Sequence, residues 1–237
     1  MKDLSLILPV HNQADIIEPV FKDIIGAFRK LTPTFEIILV ENGSTDKTLS
    51  AVRTIARRYA HVSVRTAAKG YGSAILSGLK AASGRYVCYM PSDGQVDLSV
   101  LPSLWKLAAR GRYQLVKVRR VTRESRVRQA VSLFFSAVMR LLFGVPFLDI
   151  NGSPRIFLRK YVKLLRLTYR DSFIDAEFAV KANLLNWHIA EIPMRSLPRY
   201  GGKSTRSWKT FMEFLLNLYR FRTGTALPWW RRSVGLN

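Results

Sequence analysis

From Leu4 to Met90 the chain alternates short apolar runs with longer stretches of helical spacing. Leu4–Val10 is an apolar run of strand length. Ile16–Leu31 carries its apolar side chains at helical intervals behind Asp15, a residue type suited to cap a helix start. Phe35–Val40 reads as a second strand, followed by the turn Asn42-Gly43-Ser44-Thr45-Asp46. Lys47–Tyr59 reads as a helix, Val62–Arg65 as a third strand, Ser73–Ala82 as a helix closed by Gly84, and Arg85–Met90 as a fourth strand. Regular alternation of strand and helix predicts a parallel α/β sheet. Such sheets bind ligands beyond the carboxyl ends of their strands. The segments to watch are therefore Pro9–Gln13, Glu41–Asp46, Lys69–Gly72 and Pro91–Gln95.

The pattern changes after residue 105. From Ala130 to Leu148 almost every position is apolar, and Arg128, Ser132, Ser136 and Arg140 recur every fourth residue. On a helix they make one thin polar stripe. A helix apolar on all its other faces is either buried or in contact with lipid. Arg140 in mid-run, then Gly144 and Pro146, argue against a full membrane span. Trp208–Arg222 keeps helical spacing, and Trp229-Trp230-Arg231-Arg232 suits a membrane–water interface.

Length and charge sharpen this picture. A chain of 237 residues suits one large domain, or a domain with an appendage, and the division expected here is 1–205 and 206–237. The formal charge is +22. Residues 106–170 hold 16 basic against 2 acidic side chains, whereas residues 1–105 hold 12 against 9. The excess is thus local, and it suggests a polyanionic partner: nucleic acid, an anionic membrane or a phosphorylated ligand. The single cysteine, Cys88, excludes a disulfide scaffold or a cysteine-rich metal site. Met1 to Val10 lack a cationic start and a long apolar run, so no signal peptide is expected there.

Two phosphate-binding patterns are missing. Gly70-Tyr71-Gly72 lacks the third glycine of a dinucleotide fingerprint, and no Gly-Lys-Ser/Thr loop occurs. At the fourth strand exit stands Ser92-Asp93-Gly94-Gln95. A carboxylate and an amide oxygen two residues apart can face a hard cation, and Mg²⁺ takes few protein ligands when it bridges a diphosphate.

These segments together resemble a family 2 glycosyltransferase of the GT-A fold, in the branch of dolichol-phosphate mannose synthase and the polyprenyl-phosphate glycosyltransferases. The matching stretches run in order through residues 4–205. They include Leu8-Pro9-Val10-His11-Asn12-Gln13, Val40 to Thr48, Lys69 to Ala74 and Met90 to Gln95. Arg119, Arg123 and Arg128, then Asp149-Ile150-Asn151-Gly152, Asp175-Ala176-Glu177, Glu191-Ile192-Pro193 and Arg199 to Ser204 continue the series. The chain departs from the family where His11 and Gln13 replace Tyr and Glu, where Glu41 and Asn42 replace two Asp, and where Pro91 replaces the first Asp of the metal motif.

The resemblance implies an α/β GT-A fold, Rossmann-like, with a mixed, mainly parallel sheet flanked by helices and a C-terminal amphipathic helix. It implies inverting transfer of a sugar from a UDP- or GDP-linked donor to a polyprenyl or dolichyl phosphate. Pro9, His11, Gln13, Asn42, Lys69 and Ser92 would then contact the nucleotide sugar. Asp93 and Gln95 would hold Mg²⁺ or Mn²⁺, and Asp93 and Asp149 would be the catalytic positions. Arg119, Arg128, Arg199, Lys203 and Ser204 would bind the acceptor phosphate. The expected location is peripheral, on the cytoplasmic face of an anionic membrane, with room for a membrane-anchored partner protein.

Three other readings compete. A GT-A transferase with a soluble or polysaccharide hydroxyl acceptor would need a base, for which Asp175 or Glu177 would serve. A nucleic-acid-binding protein fits the charge alone, but no helix-turn-helix, zinc-finger or RNA-binding aromatic signature is present, so no nucleic-acid partner is expected. A sugar-nucleotide-binding module without activity fits Pro91.

Overall fold

A computed structural model describes residues 2–32, 34–122, 126–201 and 208–236, the side chains of 126–128, 208 and 209 excepted. The predicted alternation appears as β1 (Leu4–Val10), α1 (Ile17–Arg29), β2 (Phe35–Glu41), α2 (Thr48–Arg58), β3 (Val62–Thr66), α3 (Tyr71–Ala81) and β4 (Tyr86–Tyr89). Then follow α4 (Leu101–Ala109), β5 (Leu115–Thr122), α5 (Arg126–Phe143), β6 (Arg155–Leu158) and α6 (Val162–Leu165). The remaining elements are α7 (Ile174–Leu184), β7 (Ile189–Arg195), α8 (Trp208–Thr223) and α9 (Ala226–Ser233). Asp15 does not cap α1. Ile16 holds the cap position without a side-chain bond, and the Gln13 carbonyl accepts from the Ile16 and Ile17 amides instead.

The strands form one sheet in the order β3-β2-β1-β4-β6-β5-β7, and β6 alone runs against its neighbours. This is the mixed, mainly parallel α/β sheet expected. The chain winds outward through β2 and β3 on one side of β1, and β4 lies on the other. The crevice at such a reversal is where open α/β sheets bind ligands. Because β6 is reversed, its first residue, Arg155, lies on the same edge as the carboxyl ends of the other strands.

Every residue of β1 and β2 is buried, as a strand covered on both faces requires. Leu4, Leu6 and Leu8 pack into one core with α1 and α2, while Ile7 packs on the other side with α3 and α7. A third core joins Met139 of α5, Val145, Phe147 and Ile150 to Phe173, Ala176 and Val180, and to Leu218 and Phe221 of α8. The α7 helix therefore lies between two cores and is buried almost all round. On α9, Trp230 is buried and its indole N–H donates to the Leu164 carbonyl at 3.0 Å.

The α5 helix carries apolar side chains on both its buried and its exposed faces. Ser136, in its predicted polar stripe, is buried and donates to the Leu148 carbonyl at 3.2 Å. Phe134 and Leu141 are 59% and 85% exposed. Phe135 packs edge-on against Phe214 of α8 at 4.3 Å, so the two helices lie side by side. The outer side of α8 adds Met212, Leu216 and Tyr219. Gly144, at φ +65, follows the last turn of α5 and Pro146 stands two residues further on, so the helix ends before Leu148.

Candidate active site

The loops after β1 and β2 are woven together by their own polar side chains. Asn12 Oδ1 accepts from the Thr45 amide at 2.8 Å, and Thr48 Oγ1 accepts from the Gln13 amide at 2.7 Å. Asp46 accepts from the Ala14 amide at 3.1 Å and from the Thr48 amide at 2.9 Å. Glu41 is absorbed into the turn, taking the Ser44 amide at 2.5 Å. His11 Nδ1 lies 3.1 Å from the Asn42 carbonyl. Asn42 itself is buried, and its Oδ1 has no hydrogen-bond partner among the described residues. A buried polar atom without a partner costs stability, so this oxygen is a place for a ligand donor. Gly43 adopts φ +75 directly against Lys69, so the exposed Lys69 flanks the same loop.

At the seam between β1 and β4, Ser92 is buried and its hydroxyl bridges the Pro9 carbonyl at 2.5 Å and Gln13 Oε1 at 2.6 Å. Asp93 Oδ1 accepts from the Gln95 amide at 3.2 Å, and Asp93 Oδ2 faces the Arg199 guanidinium at 3.5 Å. Pro9, His11, Gln13, Asn42, Lys69, Ser92, Asp93 and Gln95 thus all lie on one edge of the sheet. Among the described residues no group of three or more His, Cys, Asp or Glu could hold a metal ion unaided. Asp93 and Gln95 fit a divalent ion only as the sparse protein side of a shell completed by substrate phosphates.

Across the crevice, Asp149 is buried in the fork of Arg120, whose Nε and Nη2 donate at 2.8 and 3.0 Å. Lys117 Nζ donates to the Asp149 carbonyl and to Glu191 Oε1, the latter at 3.2 Å. Burial first, and then the nearby Arg155, pull the Lys117 ammonium down to about 8, against Glu191 and Asp149, which hold it up. Arg155 is buried and paired with Asp175 at 3.2 Å, and the Tyr89 hydroxyl donates to the same carboxylate at 3.1 Å. Glu177 accepts from the Thr168 amide and hydroxyl, the Tyr169 amide and Lys181.

The acceptor-side arginines separate. Arg119 is half-buried in the middle of β5, and its side chain makes no hydrogen bond or ion pair among the described residues. Arg199 lies at Asp93. The backbone of Arg128 is in α5 and its side chain lies outside the described atoms, as do Lys203 and Ser204 altogether. Sequence reasoning did not single out Arg120, Lys117 or Arg155. Of the four basic residues on the β5–β6 strand pair, Lys117 and Arg155 stand among buried apolar neighbours, and that was the available signal.

Comparison with known proteins agrees with this geometry. The family described as Glycosyl transferase family 2 matches residues 5–165. The chain is 26% identical over 232 residues to the undecaprenyl-phosphate 4-deoxy-4-formamido-L-arabinose transferase of Photorhabdus laumondii subsp. laumondii, covering 96% of this chain and 70% of that one. It is 26% identical over 231 residues to the protein of the same name from Pectobacterium atrosepticum, covering 96% and 69%. Glucosyl-3-phosphoglycerate synthase from Mycobacterium tuberculosis, solved with Mn²⁺, UDP and glucosyl-3-phosphoglycerate, shares the fold with a TM-score of 0.69 at 22% identity, covering 94% of this chain and 81% of that one. A family match over most of the chain, on a sheet whose ligand edge carries the family's loops in order, leads to one conclusion: this protein is a glycosyltransferase and belongs to glycosyl transferase family 2.

Proposed function

We propose that the protein transfers one sugar from a nucleotide-diphosphate sugar, UDP- or GDP-linked, to a polyprenyl phosphate at a membrane surface, with inversion. The observation that carries this reading is the state of the two carboxylates a hydroxyl acceptor would need as base. Asp175 is 5% exposed and tied to Arg155 and Tyr89, and Glu177 is 1% exposed and tied to Lys181 and the Thr168–Tyr169 amides. Neither can take a proton from an incoming hydroxyl without breaking a buried ion pair. A phosphate monoester needs no such base. It is anionic already, with a second pKa of about 6, and can attack the anomeric carbon directly. The relatives named for undecaprenyl phosphate point the same way.

The chain's own residues then divide the work. Asn42 offers its unpaired Oδ1 to a donor N–H of the base, and Ser92 fixes Pro9 and Gln13 around the sugar nucleotide. Asp149, clamped by Arg120, fixes the wall against which sugar and acceptor are positioned. Arg119, with Arg128, Lys203 and Ser204, supplies the cationic and hydroxyl side for the acceptor phosphate. Asp93 and Gln95 would hold Mg²⁺ or Mn²⁺ against the diphosphate. When bound, that ion supplies charge neutralisation to the leaving group.

Attachment to the cytoplasmic face of a membrane belongs to the same proposal. Among the described residues no helix is long and apolar enough to cross a membrane. The outward face of α5, with Leu133, Phe134 and Leu141, and Trp229 of α9 offer apolar area beside Arg140, Arg220 and Arg232. The 206–237 segment would serve as part of that interface.

The test is transfer of radiolabelled sugar from a panel of UDP- and GDP-sugars to a short polyprenyl phosphate, to the matching polyprenol and to soluble sugar acceptors. Product is expected on the polyprenyl phosphate alone. Transfer to a hydroxyl acceptor with none to the lipid phosphate would overturn the proposal.

A further inference from the structure

The segment after β7 lies as a strap across the exit of β4. The Leu197 amide donates to the Gln95 carbonyl at 3.0 Å, and the Tyr200 amide donates to the Asp93 carbonyl at 3.3 Å. The Tyr200 hydroxyl donates to Asp23 of α1 at 2.5 Å, and its ring covers Gly94 so closely that a Cβ there would run into it. Both sides of Arg199 are thereby pinned by backbone and ring contacts, while its guanidinium rests on Asp93 at 3.5 Å.

The carboxylate it rests on is the one assigned to the divalent ion, and Pro91 stands where the family has a second. A divalent ion and a guanidinium on the same carboxylate repel each other, so the ion's arrival at Asp93 weakens its hold on Arg199. The pair is also open to exchange: its side chains are 24% and 14% exposed, and ion pairs in contact with water are weak. The Arg120–Asp149 pair, with Asp149 at 2%, is the contrast.

We propose that Arg199 and the divalent ion are alternative partners of Asp93, and that arrival of the metal–nucleotide donor releases Arg199 to the acceptor phosphate. Arg199 is then a tethered counter-ion that keeps Asp93 neutralised until the donor is in place. The inference rests on the proposed function only in taking the donor to carry a metal-bridged diphosphate and the acceptor to carry a phosphate.

Mn²⁺ binding to the full chain, measured by calorimetry with UDP present and no acceptor, tests the competition without turnover. Arg199→Gln is expected to bind Mn²⁺ about fivefold more tightly than the natural chain, the worth of a partly exposed ion pair. Arg199→Lys is expected to stay near the natural value. Unchanged or weaker Mn²⁺ binding in a folded Arg199→Gln overturns the proposal. A second measurement needs no variant: binding of a short polyprenyl phosphate in detergent should strengthen when Mn²⁺ and UDP are both added, and equal binding without them also overturns it. A chain that shows the Arg199→Gln effect but transfers nothing to polyprenyl phosphate would fail the acceptor assignment and keep the competition. Transfer to polyprenyl phosphate with no Arg199→Gln effect would do the reverse.

Discussion

Arg119 and Arg120 are neighbours on β5 with opposite fates. Arg120 is locked onto the buried Asp149 by a two-pronged hydrogen bond, and Arg119 has no such partner among the described residues. Arg120→Gln leaves a buried carboxylate without its fork, and removal of one partner from a buried pair costs roughly 3–5 kcal/mol. A marked fall in Tm is the expected result. Arg119→Ala should leave Tm unchanged and raise the acceptor KM about tenfold or more, with the donor KM little altered, since a charge-assisted phosphate contact is worth about 1.5–3 kcal/mol. Initial-rate kinetics in both substrates checks this, and a rise confined to the donor KM would place Arg119 at the diphosphate. No spacing rule chooses between the two arginines. The choice is made by a loop 29 residues further on, which is why the sequence resemblance points to Arg119 and passes over Arg120.

Glu36 carries the clearest pH signal, at the end of the sheet away from the site. Burial pushes its carboxyl up, but Lys2, Ser5 and two bonds from Ser83 outweigh that and hold it at about 2, below the ordinary 4.5. The folded state therefore binds this proton less readily than the unfolded chain. The stabilisation is present above about pH 4.5 and is lost as pH falls toward 2. It is worth on the order of 2–3 kcal/mol. Glu36→Gln should lower stability at pH 7 and flatten the acid limb of a denaturant-midpoint profile between those values. An acid limb unchanged in the variant would remove Glu36 as its cause.

Among the elements, those on the β1–β4 side of the sheet were legible because burial on both faces leaves unbroken apolar runs punctuated by turn residues. Their ends moved by only a residue or two. Tyr71, for example, opens α3 ahead of the predicted Ser73. The later elements were less legible for physical reasons. The α7 helix touches two cores and has no polar face to set a period, and Asp175, Glu177 and Lys181 within it are buried through pairing. The β6 strand is four residues long, too short to show an alternation. For α5 a wheel cannot say which side meets the protein: Ser136 of the predicted stripe turns inward to the Leu148 carbonyl, while Arg140 of the same stripe is exposed. Phe134→Glu with Leu141→Glu should therefore change the unfolding free energy by no more than about 0.5 kcal/mol each, as exposed positions do. The same pair should abolish flotation with anionic liposomes. Flotation that persists would move the contact to α8 and α9.

At the scale of the molecule the charge of +22 is sorted, with the excess gathered after residue 105. The sheet edge proposed to bind the donor and the helices α5, α8 and α9 meet through the third core, where Phe147 and Ile150 flank Asp149. An anionic bilayer against those helices would draw on both apolar area and cations, each cation adding about 1 kcal/mol near the surface. Liposome binding is expected to rise with anionic lipid content and to fall in high salt as the charges are screened. Binding indifferent to both would leave apolar insertion alone.

The two faces of α5 carry one more consequence. Because α5 meets the protein through Ser136 and Met139 and faces outward through Phe134 and Leu141, its two faces answer to different constraints. If that outer face is the membrane contact proposed above, substitutions there would change which bilayer the enzyme prefers while the inner face stays as it is. Address and chemistry would then drift independently within a single helix, and a lineage could retarget the enzyme to a new membrane without refolding it.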